Sequence, residues 1–105
     1  MRQITVNDLA QRLRSEPAPL LLDVREHWER EIVHLAGDRH IPMGEITQRK
    51  HELDPQQEIV VYCHHGGRSA QVAHYLAQQG YDRVINLTGG IDAWSREVDI
   101  SLPRY

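Results

Sequence analysis

The sequence predicts an α/β fold with a central parallel sheet of about five strands and helices on both faces. The apolar runs 20–24 and 58–62 do not alternate with polar residues, as expected for strands buried on both faces. Segments with helical periodicity separate the strand segments, which implies right-handed crossovers between parallel strands. The chain has 105 residues, so one domain spanning 1–105 is expected, with a core of useful size.

The first half of the chain is predicted to alternate strands with helices. The strands are expected at 4–6, 20–24 and 40–42, and the helices at 7–15, 26–33 and 44–51. Asn7 is a suitable N-cap for the first helix, because its side chain can accept from a free N–H of the first turn. Pro17 and Pro19 end that helix, since proline cannot continue the hydrogen-bond ladder.

The second half has a clearer pattern, with strands predicted at 58–62 and 83–87. The helix between them is expected at 69–79, capped by Ser69, with Gly80 in the left-handed position that ends many helices. A short helix is expected to follow Gly89 and Gly90 and to end near Trp94. Trp28 and Trp94 are interpreted as core or helix-docking residues.

Composition and charge exclude several classes of protein. Twelve basic and fifteen acidic residues give a net charge of −3, so no broad basic surface for nucleic acid is expected. The longest apolar stretch, at 18–22, is far shorter than the ~20 residues of a membrane span. The first residues lack the apolar segment of a signal peptide. A cytoplasmic protein that binds neither nucleic acid nor membrane is therefore expected.

The only cysteine, Cys63, lies where a parallel sheet binds ligands, just beyond the carboxyl end of a buried strand. Gly66 and Gly67 allow the following loop to turn its N–H groups inward as an anion-binding nest. The next helix adds its positive end and Arg68 adds a permanent charge. All three favour a nucleophilic thiolate over a thiol. The alternatives are a buried apolar cysteine or a phosphate cradle, but the common nucleotide-binding glycine motifs are absent.

The histidines and charged residues near this loop leave more than one interpretation open. His64 and His65 could attract an anionic donor or tune the thiolate if partly protonated, or they could contribute only backbone N–H groups. The histidines of the chain form no known ligand set, so no metal is expected. Asp23 and Arg25 follow a strand, and we expect them either to reach the loop or to form an ordinary ion pair.

Four segments together resemble the single-domain rhodaneses, a family of sulfurtransferases. LLDVRE at 21–26 resembles the L-[IL]-D-V-R-E motif of the family, and HLAGDRHIP at 34–42 is similar to its G-H-I-P-G-A-x-x-I-P motif. VVYCHHGGRS at 60–69 resembles the active-site strand and loop, and LTGGIDAW at 87–94 resembles L-x-G-G-x-x-A-W. The resemblance covers nearly the whole chain and implies a rhodanese-like domain over 1–105.

The resemblance implies a two-step sulfur transfer without a metal or an organic cofactor. Cys63 would take the outer sulfur of a donor such as thiosulfate as a persulfide, and a thiophilic acceptor, cyanide in the assay, would remove it. The loop would bind substrate and persulfide, with Asp23 and Arg25 as supporting residues. The loop residues concerned are His64, His65, Gly66, Gly67, Arg68 and Ser69.

Three other functions stay open. One is persulfide relay to a protein or small-thiol acceptor. Another is a cysteine-dependent phosphatase or arsenate reductase, which the loop length opposes, because C-x-x-x-x-R is one residue shorter than the loop such phosphatases close around phosphate. The third is a non-catalytic interaction domain, which retention of the cysteine argues against.

Overall fold

Five short strands form one parallel sheet at the centre of the molecule. The structure is a computed structural model that describes residues 2–105. The strands are β1 (Arg2–Ile4), β2 (Leu20–Asp23), β3 (Arg39–His40), β4 (Ile59–Tyr62) and β5 (Val84–Leu87). Their order in the sheet is β1-β5-β4-β2-β3, and each neighbouring pair is parallel. The predicted α/β fold with a five-stranded parallel sheet is confirmed.

Helices connect the strands and cover the sheet on both faces, as predicted. They are α1 (Val6–Arg12), α2 (His27–Ile32), α3 (Ile46–Arg49), α4 (Gly67–Gln78) and α5 (Gly90–Glu97). Two 3-10 turns, Met43–Glu45 and Lys50–Glu52, flank α3. Within residues 2–105, no helix combines the length and the apolar character needed to cross a bilayer.

The central strand β4 divides the core into two layers, because successive side chains of a strand point to opposite faces. Ile59 and Val61 pack with α3 and α4, whereas Val60 and Tyr62 pack with α1 and α5. All four side chains are fully buried, which explains the unbroken apolar run. Cys63 follows directly, so the end of the strand fixes the cysteine at the middle of the carboxyl edge.

The first elements begin earlier than predicted. The structure has a strand at Arg2–Ile4 instead of 4–6, and α1 starts at Val6 and ends at Arg12 instead of Ser15. Thr5 is the N-cap, with its hydroxyl accepting from the Asp8 N–H at 3.2 Å. Burial of Val6 in the core explains the shift, because it fixes the start of the helix.

The later helices also differ from the prediction at their ends. Helix α4 begins at Gly67, and its N-cap is Gly66 in the left-handed conformation, so Ser69 lies buried in the first turn instead of capping the helix. Helix α5 continues beyond Trp94 to Glu97. Trp94 is half-buried against the core as expected, but Trp28 is 59% exposed, so the core alternative is wrong for Trp28.

Candidate active site

The sulfur of Cys63 lies in a cradle formed by the loop that joins β4 to α4. Cys63 Sγ accepts hydrogen bonds from the Gly66 N–H at 3.1 Å and the Ser69 N–H at 3.4 Å. Both donors belong to the start of α4, where backbone N–H groups carry partial positive charge. The arrangement therefore stabilises negative charge on the sulfur, or on a group attached to it.

Glycines shape this loop at two points of close approach. Gly66 has φ +113°, which a residue with a side chain rarely adopts. Gly90 has φ +60°, and a Cβ added there would lie 2.5 Å from the carbonyl oxygen of Cys63. The first N–H groups of α5 bind the loop, because Ile91 and Asp92 donate to the carbonyls of Cys63 and His64, both at 3.0 Å. These bonds direct the loop carbonyls away from the sulfur.

Asn86 on β5 forms hydrogen bonds to two residues of the cradle, Gly66 and Ser69. Its Nδ2 donates to the Gly66 carbonyl at 3.3 Å and to Gln3 Oε1 at 2.9 Å. Its Oδ1 accepts from the hydroxyl of Ser69 at 2.6 Å, and that hydroxyl oxygen lies 3.4 Å from Cys63 Sγ. Asn86 is buried and contacts both residues that donate their N–H groups to the sulfur, Gly66 and Ser69.

Arg68 closes the loop but does not present a free charge. Its two terminal nitrogens donate to both carboxylate oxygens of Glu29, at 2.6 and 2.8 Å. Glu29 is buried on α2, and burial opposes its ionisation. The hydrogen bonds from Arg68 and Tyr105 outweigh burial and lower the pKa of Glu29 to about 2. The pair is thus ionised, and much of the Arg68 charge is neutralised.

Asp23 and Arg25 form a fully buried ion pair next to the site. Arg25 donates from Nε and Nη2 to the two carboxylate oxygens of Asp23, at 2.9 and 3.0 Å. Its Nη1 donates to the Tyr105 hydroxyl at 2.8 Å, and that hydroxyl donates to Glu29 at 2.7 Å. Asp23 and Arg25 are therefore connected to Arg68 through Tyr105 and Glu29.

The two loop histidines stack beside the cradle. The His64 ring lies between the rings of Tyr105 and His65, with centroid distances of 3.8 and 3.9 Å. Burial and the neighbouring His65 lower the pKa of His64. A protonated His64 is therefore disfavoured, whereas His65 is exposed to solvent.

One group of possible metal ligands lies among residues 2–105. His64, His65 and Asp92 bring ligand atoms within 4.8 Å of one another. However, the Asp92 carboxylate already pairs with Arg96 at 3.0 Å and with Arg104 at 3.6 Å. These two guanidinium groups compete with a cation for the single carboxylate of the group, so the arrangement does not favour a metal site.

Of the residues predicted for the site, Gly66 and Ser69 contact the sulfur of Cys63, whereas Arg68 pairs with Glu29. His64 and His65 stack next to each other, and Asp23 and Arg25 form a separate buried ion pair. Sequence reasoning missed Glu29, Asn86 and Tyr105, which hold Arg68, Ser69 and Arg25. No sequence pattern distinguishes Glu29 from the other polar residues of its helix. Asn86 is a polar residue inside an apolar strand, which indicates a function at a sheet edge.

Comparison with known proteins assigns this fold and loop to a family. The family model of the rhodanese-like domain matches residues 5–97. A sulfurtransferase of Allochromatium vinosum is 40% identical over 96 residues, covering 91% of this chain and 90% of the relative. A Bacillus subtilis protein named for a sulfur-carrier role is 36% identical over 97 residues, and the match covers 92% of this chain but only 52% of that protein.

A solved structure gives the same assignment. The crystal structure of a rhodanese-related protein from Thermoplasma volcanium superposes with a TM-score of 0.86 at 32% identity, covering 93% of this chain and 94% of the other. The range of the family model, 5–97, includes strands β2 to β5, the cysteine loop and Asn86. The chain belongs to the rhodanese-like domain family.

Proposed function

We propose that this protein is a sulfurtransferase that carries sulfur as a persulfide on Cys63. The Cys63 thiolate attacks the outer sulfur of a donor such as thiosulfate, forming an S–S bond while sulfite leaves with the electron pair of the broken bond. A thiophilic acceptor then attacks the outer sulfur of the persulfide. That step breaks the new S–S bond and returns Cys63 as the thiolate, which is covalent catalysis in two half-reactions.

The observation that carries the proposal is the pair of N–H groups directed at Cys63 Sγ from the start of α4, at 3.1 and 3.4 Å. Preorganised backbone donors stabilise charge on an attacking or leaving sulfur without rearrangement during the reaction. The relatives named as a sulfurtransferase and for sulfur-carrier function support sulfur transfer as the reaction class.

The identities of the donor and the acceptor are a second part of the proposal. Glu29 neutralises Arg68, so the loop offers little positive charge to a doubly charged inorganic donor. A separate feature favours a thiol on a protein or a small molecule over a purely inorganic acceptor. Beside the loop, the largely exposed Trp28 contacts Tyr105, which stacks on His64. An exposed aromatic surface next to the cysteine loop suits contact with a larger partner.

Intact mass after incubation with thiosulfate tests the first half-reaction. We expect the wild type to gain the mass of one sulfur atom, and the Cys63→Ala and Cys63→Ser variants to gain none. Since Cys63 is the only cysteine, no other thiol can hold the sulfur. Both variants should keep the melting temperature close to that of the wild type, because serine and alanine fit the space of a buried cysteine.

Steady-state assays test the complete reaction and separate the alternatives. Thiosulfate:cyanide activity that survives in Cys63→Ala would overturn the role of Cys63. Faster turnover of an aryl phosphate than of thiosulfate would favour a phosphatase. If the protein relays sulfur to thiols, the rate of transfer from the persulfide to glutathione should equal or exceed the rate of transfer to cyanide. A much lower rate with glutathione would argue against a thiol relay.

A further inference from the structure

The hydroxyl of Ser69 lies between the sulfur of Cys63 and the side-chain amide of Asn86. Its oxygen is 2.6 Å from Asn86 Oδ1 and 3.4 Å from Cys63 Sγ. Ser69 and Cys63 are almost completely buried and Asn86 is 4% exposed, so water does not compete freely for these contacts. The hydroxyl has one proton and therefore can donate to only one of the two neighbours at a time.

The hydrogen-bond partners of Asn86 determine where that proton lies. The Gly66 carbonyl can only accept, so the amide nitrogen of Asn86 must face it, and the amide oxygen must face Ser69. The oxygen–oxygen distance of 2.6 Å is also typical of an O–H···O bond. The Ser69 hydroxyl thus donates to Asn86 and presents a lone pair to Cys63.

This arrangement matches the thiol form of Cys63 better than the charged form. A thiol S–H can donate to the Ser69 lone pair that faces it. When the proton leaves to solvent, the negative sulfur faces that same lone pair, unless the hydroxyl turns from Asn86 to the sulfur. The N–H groups of Gly66 and Ser69 favour the thiolate form of Cys63 whichever way the Ser69 hydroxyl points. Asn86 opposes this effect, because it accepts the hydrogen bond that the Ser69 hydroxyl would otherwise donate to the sulfur.

We infer that Asn86 is a positioning residue that controls, through the direction of the Ser69 hydroxyl, how readily Cys63 carries negative charge. The inference deepens the proposed function, because both half-reactions place charge on this sulfur. While Cys63 is a thiol, the Ser69 hydroxyl donates its hydrogen bond to Asn86. When the sulfur becomes negatively charged, the hydroxyl turns and donates to the sulfur instead.

The pH dependence of thiolate ultraviolet absorption tests the inference, with the spectrum of Cys63→Ala subtracted. Because the chain has one cysteine, the difference signal reports Cys63 alone. We expect Asn86→Ala to lower the midpoint pH by about one unit, since one hydrogen-bond donor becomes free for the charged sulfur. The same substitution in a Ser69→Ala background should leave the midpoint of that background unchanged.

Gln3→Ala is the matched control, because it removes a partner of Asn86 Nδ2 but leaves the Ser69–Asn86 bond in place. Its midpoint should equal that of the wild type. An Asn86→Ala midpoint that does not fall, or that falls equally with and without the Ser69 hydroxyl, would overturn the inference. The titration needs no sulfur transfer, so a protein inactive with thiosulfate that still shows this pattern would contradict only the proposed function.

A second measurement applies if Asn86→Ala, and also Asn86→Leu, fail to fold. At low pH the S–H stretching band of the wild type should lie at lower frequency than that of Ser69→Ala, because only the wild type offers the S–H an acceptor oxygen. Equal band positions in the two proteins would overturn the inference.

Discussion

Arg68 and Glu29 are joined by two parallel hydrogen bonds, at 2.6 and 2.8 Å, between the active-site loop and α2. Arg68 is about one-third exposed, whereas Glu29 is buried. The pair ties the end of the loop to a helix that is 39 residues away in sequence. It also reduces the charge that the loop offers to an anionic donor.

Glu29→Gln should release the charge of Arg68 without removing the helix cap. Glu29 accepts a hydrogen bond from the backbone N–H of Glu26 at 3.0 Å, and a glutamine at position 29 can still accept this bond. We expect the KM for thiosulfate to fall roughly threefold, because an uncompensated cation then lies beside the loop. Loss of the charged hydrogen bonds should lower the free energy of unfolding by about 2 kcal/mol.

Steady-state kinetics and urea unfolding measure the two effects separately. Glu45→Gln is the control, because Glu45 pairs with Arg49 on a different helix and should change neither value substantially. A lower stability with an unchanged or higher KM would show that Arg68 does not attract the donor.

The free energy of unfolding should decrease in acid as the carboxyl groups of Glu29 and Asp38 take up protons. Burial opposes the ionisation of both groups, but hydrogen bonds from Arg68 to Glu29 and from Arg30 to Asp38 outweigh it and lower both pKa values. A carboxyl group with a lowered pKa in the folded state stabilises the fold above its unfolded pKa. For Glu29 that contribution is lost between about pH 4.5 and about pH 2.

Urea unfolding at a series of pH values across this range checks the expectation. The wild type should lose stability steadily as the pH falls. Glu29→Gln should lose less over the same interval, since it no longer has the proton-binding group. Parallel curves for the two proteins would exclude Glu29 as a source of the acid sensitivity.

The sequence alone was sufficient to predict the sheet and the cysteine loop, for local physical reasons. The apolar runs before Cys63 and around Val84 can be accommodated only in buried strands, and the glycines after Cys63 permit the turn that aims N–H groups at the sulfur. The boundaries were less predictable, because both Thr5 and Asn7 can cap a helix. Burial of Val6 decides between them, and burial depends on the complete fold.

The supporting residues could not be predicted because their contacts join distant parts of the chain. Asn86 contacts Ser69 across 17 residues, and Tyr105 contacts Glu29 across 76. Neither contact leaves a periodic signal in the sequence. The burial of Trp28 was also not predictable from the sequence. Trp28 lies in a short helix among polar residues, and this pattern does not indicate which face of the helix is buried.

Gly90→Ala should damage both stability and sulfur transfer. A Cβ at this position would lie 2.5 Å from the Cys63 carbonyl oxygen, and the φ of +60° disfavours any side chain. We expect a loss of about 3 kcal/mol in the free energy of unfolding. Displacement of the loop carbonyls would misdirect the N–H groups at the sulfur, so turnover should fall on the order of a hundredfold.

Gly44→Ala provides the comparison, since nothing lies within 4 Å of its added Cβ and its φ is not in the left-handed region. Urea unfolding and the thiosulfate:cyanide assay should give values close to those of the wild type for that variant. If Gly90→Ala behaved like Gly44→Ala, the close approach of α5 to the loop would not be needed for the site.

Tyr105→Phe should weaken the link between the buried Asp23–Arg25 pair and the active-site loop. The substitution keeps the ring that stacks on His64 but removes the hydroxyl that accepts from Arg25 and donates to Glu29. Arg25 is fully buried, so its Nη1 would lose a partner that water cannot easily replace. We expect a decrease of about 1–3 kcal/mol in the free energy of unfolding, measured by urea denaturation.

Tyr75→Phe is the matched control, because it removes a hydroxyl that accepts a hydrogen bond from Lys50 on a half-buried ring. This substitution should lower the free energy of unfolding by less than about 0.5 kcal/mol. Equal stabilities for the two phenylalanine variants would show that the Tyr105 hydroxyl does not join the ion pair to the loop.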